Sequence, residues 1–461
     1  MEGRGQLEGI PPVRSKGRTQ RRWGTMPPNL GRVNEAARRG RQTKFTALLH
    51  HVDEAGLGRS LSRLKWDASA GVDGETVSHY KQNLAANLES LHARVHTGRY
   101  RPQPVQRVYI PKADGGQRPL GIPALEDKIV QGVVAEVLGA IYEVDFADFS
   151  YGFRPGRSAH QALDTLRASI MTGAVNWVLD ADIRSFFDSV DHELLLRSLA
   201  VRIADPRILR LIGQWLGAGV LESGQWHETE VGTPQGSVIS PLLANVYLHY
   251  ALDEWVEQWK REHARGRVMI VRYADDFVMG FEYESDARAM LEALKERLSR
   301  CRLQLHEGKT RLIEFGRYAA ERRARRGERR PETFDFLGFT HYCSVSRSGR
   351  FLMKSKTQGK RMGRKLNELR KEARRRMHDP VASQQRWLRS VLQGHYAYFG
   401  VMHNSRWLSR FYHQVQHLWY RALRRRDGHR TLTWERFAKL LERFPLPTPK
   451  ITRTLAINFA R

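Results

Sequence analysis

Three aspartates stand where an apolar run of chain should not carry charge. Asp182 closes the run 177–183, and Asp275 and Asp276 interrupt 268–281 (VMIVRYADDFVMGF) between Val271 and Val278. A carboxylate set in an apolar run is costly unless it is paired or binds a cation. Three of them in two such runs suggest a divalent-metal site. Two Mg2+ ions about 4 Å apart, bridged by carboxylates, are a recurrent solution for in-line phosphoryl transfer on nucleotides. Hard oxygen ligands suit Mg2+, with Mn2+ as a substitute, and Cys301 and Cys343 are too far apart in sequence to build a softer cluster. An Asp-Asp pair can also be no more than a hairpin tip; Asp182 on a second run weighs against that.

Other polar groups have two readings each. Lys112 and Arg118 flank the tight turn 113–116, and a basic turn can grip a triphosphate or merely be solvated. Lys309 is either a surface lysine or a group that neutralises a departing pyrophosphate. Gly236, after Gln235, lacks a side chain and so permits close approach of another backbone. The segment 354–376 carries 11 Lys or Arg against two Glu and is followed by interleaved aromatics, a composition suited to nucleic acid or to a solvated helix face over an apolar core. His395 reads as a packing histidine.

The elements that must position these groups alternate between two periodicities. Helical spacing covers about 80–96, 125–142, 158–171, 191–201, 205–217, 239–262 and 285–301. Short strands are expected at 108–111, 118–122, 177–183, either side of Asp275, and at 302–305, 310–315, 335–342 and 351–353. Residues 317–330, with seven Arg, read as an exposed insertion, and the chain turns helical from about 354. The fold class is therefore α+β. The 461 residues carry 77 Lys and Arg against 49 Asp and Glu, a net charge of +28, which points to a polyanionic partner. Hydrophobic residues at 41% exclude global disorder, and the two cysteines exclude a disulfide scaffold. No stretch approaches a membrane span and the basic N-terminus lacks an apolar signal core, so a cytoplasmic protein is expected.

On these residues the chain resembles a reverse transcriptase. Tyr273-Ala274-Asp275-Asp276 is similar to the YxDD box, and Asp182, followed by Phe186 and Phe187, to the first palm aspartate and its aromatic pair. Gly232-Thr233-Pro234-Gln235-Gly236-Ser237, Lys309-Thr310 and Phe336-Leu337-Gly338-Phe339 resemble the following boxes in the family's order. Within the class, Gly71-Val72-Asp73-Gly74, the stretch 111–131, the box 152–160 containing Arg154 and Arg157, and Leu392 to Val401 (LQGHYAYFGV) resemble the group II intron reverse transcriptases that double as maturases.

The resemblance implies a right-hand polymerase: a flexible basic arm (1–44), an N-terminal extension (45–104), fingers and a palm with a small antiparallel sheet (105–342), an all-α thumb or maturase domain (343–450) and a tail (451–461). It implies two Mg2+ ions on Asp182, Asp275 and Asp276, with Asp180 as a neighbour and Lys309 as a catalytic group. Lys112, Arg118, Phe187, Gln235 and Gly236 would contact nucleotide or template. Arg154, Arg157, Arg374, Arg375 and Arg376 would contact nucleic acid. Partners would be intron RNA, target DNA with its primer strand, and dNTPs. The absence of a metal-ligand cluster near the end resembles members without an endonuclease domain. Retron or defence-associated reverse transcriptases, and a maturase that only assists splicing, are the alternatives.

Overall fold

The computed structural model describes residues 27–111, 116–222, 225–228, 231–233, 236–428 and 431–453. In chain order the strands are β1 (Val105–Pro111), β2 (Gln117–Ile122), β3 (Trp177–Asp182), β4 (Val220–Glu222), β5 (Gln225–His227), β6 (Val268–Tyr273), β7 (Asp276–Phe281), β8 (Arg311–Glu314), β9 (Phe334–Phe336), β10 (Phe339–Val345) and β11 (Phe351–Thr357). The chain forms two compact units: Met1–Arg107 with Gly121–Ser158 and Asp191–His249, and Val108–Leu120 with Ala159–Val190 and Tyr250–Arg461.

The first unit is built around the helix Leu125–Asp145. It is apolar on all sides, the pattern of a helix enclosed by its own domain, and Ile129, Val134, Val137 and Ile141 are wholly buried. Two of its buried acids have internal cations, Glu136 meeting Arg63 and Asp145 meeting Arg202 at 3.0 Å, while Asp127 accepts from the Tyr100 hydroxyl and from Gln103 N. The helix Gly31–Arg39 packs on it, burying Val33 and Ala37, and Asn34 Nδ2 donates to the Ala140 carbonyl at 2.8 Å. The expected flexible arm over 1–44 is corrected here: 31–39 is a docked helix whose two small apolar contacts are outnumbered in sequence by arginine, while 1–26 lies outside the described residues.

The second unit contains the antiparallel sheet β6–β7–β3–β8. Val178, Leu179 and Ala181 of β3 are buried, as is β7 from Phe277 to Phe281, so these central strands are covered on both faces. The helices Ala159–Thr172 and Glu284–Arg300 pack on the sheet. The helix expected over 239–262 is broken by a wide turn at His249–Asp253 between Ser240–Leu248 and Glu254–Glu262. No strand forms over 302–305: Arg302 turns out of the preceding helix at φ +52°, and only Leu305 bridges, to Ile183. The arginine-rich 317–330 carries a short helix, Ala319–Arg325, and Arg326 binds the buried Glu314 at 2.5 Å.

The all-α expectation for 343–450 is corrected at its start, because β10 runs on to Val345 and β11 to Thr357. The helices Gly359–Arg375, Val381–Phe399, Ser405–Arg426 and Trp434–Arg443 follow. The first buries Met362, Leu369 and Ala373 and exposes Arg364, Lys365, Arg370, Lys371, Arg374 and Arg375. Tyr396, Phe399, Phe411 and Trp419 are core. His395 stacks on Phe411 with 3.7 Å between centroids, and burial, reinforced by Lys365 and Arg361, lowers its imidazole to about 3, so it packs as a neutral ring.

Candidate active site

The ladder between β3 and β7 sets Asp182 directly opposite Asp276. Facing residues of an antiparallel pair point to the same side, with Cβ atoms about 4.5–5.5 Å apart. Two carboxylates so placed repel each other unless a cation joins them. Both stand at the end of the sheet, Asp276 exposed and Asp182 half-buried, so the pair opens outward. Tyr273 faces Asp276 across β6 and β7, which leaves Ala274 and Asp275 alone as the hairpin loop. The Asp-Asp pair is thus divided: Asp275 is in the turn and Asp276 is in the sheet.

That turn is strained. Ala274 has φ +58°, where a Cβ is disfavoured. Directly behind it, Arg272 is fully buried and forks onto the fully buried Asp253, Nε to Oδ1 at 2.7 Å, while its Nη1 donates to the Ala274 carbonyl at 3.0 Å. Asp253 comes from the wide turn that interrupts the 240–262 helix, a device common at functional sites. Arg272 and Asp253 were missed in the sequence. The available signal was an arginine inside VMIVRY, which demands a buried partner as much as the aspartates do. Removing one member leaves the other charge buried and alone. Asp253→Ala should therefore lower unfolding free energy by about 3–5 kcal/mol in urea titration, whereas Asp253→Leu with Arg272→Met should cost much less.

The opposite edge supplies a cation. Lys309 Nζ lies 3.0 Å from Asp182 Oδ2. Its loop is tied to β3 by His306 N donating to the Asp182 carbonyl at 2.7 Å, and closes through Lys309 N to the His306 carbonyl at 3.0 Å. Asp180, two residues before Asp182 and on the same face, faces Arg311 across β8 and pairs with it at 3.2 Å. Burial raises the Asp180 carboxyl to about 6 against the pull of Arg311, with Asp335 and Asp182 adding to the rise. Asp180 is therefore engaged by Arg311.

After Asp182 the chain turns through Ser185, at φ +44°, into the short helix Phe186–Ser189. Phe186 is 2% exposed and Phe187 half-exposed, the rings meeting edge to face at 5.3 Å. The two rings diverge by helical rotation on this turn.

Among the described residues no three acid, imidazole or thiol groups form a ready metal cage. The donor set nonetheless fits a hard divalent ion: carboxylate oxygens only, two of them facing in register, at an open sheet end. Asp182, Asp275 and Asp276 are the residues that would hold it.

The remaining expected contacts divide. Lys112 and Gln235 lie outside the described residues. Arg118 is exposed on β2. Gly236 has φ +123°, and a Cβ there would sit 2.6 Å from the Gly121 carbonyl, so the close backbone approach it permits is to its own chain. Arg154 is corrected outright: it is 4% exposed and its nitrogens are taken by Glu143 Oε2 at 3.0 Å and by the carbonyls of Ala147 and Ser150 at 2.7 and 2.8 Å, which leaves nothing for a phosphate. Arg157 pairs with Asp148 at 2.9 Å and lies over Tyr151. Arg374 and Arg375 are exposed, but Arg376 is folded over Trp387 and bonded to Glu372 at 2.5 Å.

An in-register pair of aspartates, a third in the adjoining turn and a lysine beside them, on a four-stranded antiparallel sheet, are a donor set suited to metal-assisted nucleotidyl transfer. The model of the family described as reverse transcriptase (RNA-dependent DNA polymerase) matches residues 110–341. The chain is 35% identical to protein YkfC of Escherichia coli K12 over 302 residues, 56% of this chain and 78% of that one. It is 40% identical over 202 residues to the group II intron-encoded protein LtrA of Lactococcus lactis subsp. cremoris, 44% of this chain and 33% of LtrA. It is also 35% identical over 182 residues to the putative COX1/OXI3 intron 1 protein of Saccharomyces cerevisiae, covering 22% of it. The chain belongs to the reverse transcriptase family, and its relatives set it beside the intron-encoded branch. Polymerases of this family need divalent metal ions.

Proposed function

We propose that the chain is a group II intron reverse transcriptase and maturase, copying intron RNA into DNA from the 3′-hydroxyl of a cut target strand and binding the same RNA to assist its splicing. The observation that carries the polymerase reading is the register that sets Asp182 opposite Asp276 beside the buttressed Asp275 turn. Two Mg2+ ions on these carboxylates would stabilise the charge on the attacking and leaving oxygens. Lys309, held at Asp182, is placed to neutralise or protonate the departing pyrophosphate. Arg118 forks onto triphosphate oxygens, and Phe187 lies under the sugar of the incoming nucleotide.

The purified chain should extend oligo(dT) on poly(rA) with dNTPs and stall on withdrawal of divalent metal. It should also raise the splicing rate of its own intron RNA at low Mg2+. No extension by the folded chain would reject the polymerase half, and unchanged splicing the maturase half.

The RNA surface is the outward face of Gly359–Arg375. If Arg364, Arg370 and Arg374 each neutralise a phosphate, their joint replacement by Ala should reduce the slope of log K against log[salt] by about 2–3. Arg376 is excluded from this set because it braces Trp387. An unchanged slope would make the face merely solvated.

A further inference from the structure

The helix Ala159–Thr172, strands β10 and β11 and the loop after Phe399 enclose a cavity of about 590 Å³, and none of the three aspartates lines it. Its size falls within the range of small-ligand sites, about 300–1,000 Å³. Leu163, Phe339 and Val401 give it apolar walls, and three charged residues line it: Asp164, Arg167 and Arg453. His160 also lines it, as a neutral ring: its Nε2 donates to the Tyr398 carbonyl at 2.8 Å, and burial lowers its imidazole.

Arg167 is the group that calls for a ligand. It is 7% exposed and its Nε has no hydrogen-bond partner. Nη2 donates to His403 Nε2 at 3.2 Å and to Met402 Sδ at 3.7 Å, a ring held neutral by burial and a weak acceptor. Among the described residues no carboxylate pairs with it; burial pulls the guanidinium below its ordinary value, and Asp164 restores only part. A guanidinium buried without a counter-ion is costly. Asp164, three residues earlier, shares its face of the helix. Burial holds that carboxyl above its usual range against the pull of His160, Arg453 and Arg167, and no hydrogen bond among the described residues engages it. An acid and a guanidinium thus stand side by side, unpaired, at one wall of the cavity.

The acid disfavours a free phosphate there. Guanine is the base whose edge carries two adjacent donors, N1–H and the N2 amino group, beside two adjacent acceptors, O6 and N7. A carboxylate accepts from the first pair and an arginine donates to the second. The apolar walls suit the faces of the ring. Arg453 is exposed at the rim, where Thr452 N and Arg453 N both donate to the Gly400 carbonyl, at 2.8 and 3.0 Å, and fix its backbone.

We propose that this cavity is a guanine pocket in which Asp164 reads the N1 and N2 edge, Arg167 reads O6 and N7, and Arg453 meets the attached phosphate. The base is supplied by a free guanine nucleotide or by an unpaired guanosine splayed out of bound RNA, the chemistry being the same. The inference goes beyond the polymerase reading and does not depend on it.

The test uses the full chain in EDTA, which keeps metal-bridged phosphates off the aspartates. GMP, IMP and AMP are titrated calorimetrically, and labelled uridine heptamers with guanosine or adenosine at the centre are titrated by anisotropy. A pocket for free nucleotide should bind GMP at least about tenfold tighter than AMP, the scale of one bidentate base contact, with IMP, which lacks the N2 amino group, between them. A pocket for RNA should show that ratio between the two heptamers. Asp164→Asn should abolish the preference in either format, and Arg167→Met should do the same. Asp164 is only half-buried, so its variant folds even if the Arg167 variant does not. Arg453→Ala should weaken GMP several-fold and leave guanosine unchanged. Equal affinity for guanine and adenine ligands in both formats, or a guanine preference that survives Asp164→Asn, would overturn the inference. Primer extension on the same preparations reports on the polymerase reading alone.

Discussion

Asp182→Ala, Asp275→Ala and Asp276→Ala should each lower primer extension on poly(rA)/oligo(dT) by at least about a hundredfold, the usual scale for a lost metal ligand. The structure adds a second readout. Asp182 and Asp276 face each other as like charges, an arrangement that destabilises a ladder. Replacing Asp276 should thus leave the melting temperature of the metal-free protein no lower than wild type while activity collapses, the trade expected where a site is built at the expense of stability. Asp182→Ala is a different case, because it also releases Lys309. Asp182→Asn keeps an acceptor for that lysine and should be as inactive as the alanine variant. RNA binding should survive all of these changes, since the exposed arginines of the 359–375 helix are untouched. Vigorous extension by Asp275→Ala would reject the two-metal reading.

The acids were legible in the sequence because charge inside an apolar run is expensive and therefore informative. The same rule applied to Arg272, which lies one residue before the motif and was passed over because the aspartates explained the run. Its partner Asp253 was not legible: it depends on a break in a helix that periodicity reads as continuous over 239–262. Arg154 failed in the other direction. A basic residue in a basic chain looks like a phosphate ligand, and only the fold reveals that Glu143 and two carbonyls already enclose it. The fold class was readable from the alternation of helical and strand spacing. Its boundaries were less so, since β10 and β11 are extended by pairing with each other, a long-range gain that local propensity does not contain. The docked helix Gly31–Arg39 escaped for a related reason: two small buried residues are a weak pattern, and its stability comes from the Leu125–Asp145 helix it packs on.

Phe187→Ala should relax the exclusion of ribonucleotides. A ribonucleotide differs from its deoxy counterpart by one 2′-hydroxyl, and a hydrophobic pocket discriminates such a group weakly unless a rigid wall occupies its place. Two rings follow Asp182 in the chain, and the structure separates them. Phe186, 2% exposed, belongs to the core, while Phe187, on the same helical turn, is half-exposed. The turn is fixed by Ser185 at φ +44°, with Asp188 N donating to the Ser185 carbonyl at 2.8 Å, so the position of the second ring is set by backbone and not by a flexible linker. Loss of the ring should raise kcat/KM for rNTPs relative to dNTPs by about tenfold or more, at little cost in stability because the side chain is only half-buried. Phe186→Ala should do the reverse, costing about 3–5 kcal/mol of stability and leaving the ratio of the folded enzyme unchanged. Both variants are compared by kcat/KM for dTTP and UTP on poly(rA)/oligo(dT), together with urea unfolding. Unchanged discrimination in Phe187→Ala removes it as the steric gate; relaxed discrimination in Phe186→Ala instead assigns the gate to the buried ring, and with it a tighter sugar pocket that reaches into the core beneath the sheet end.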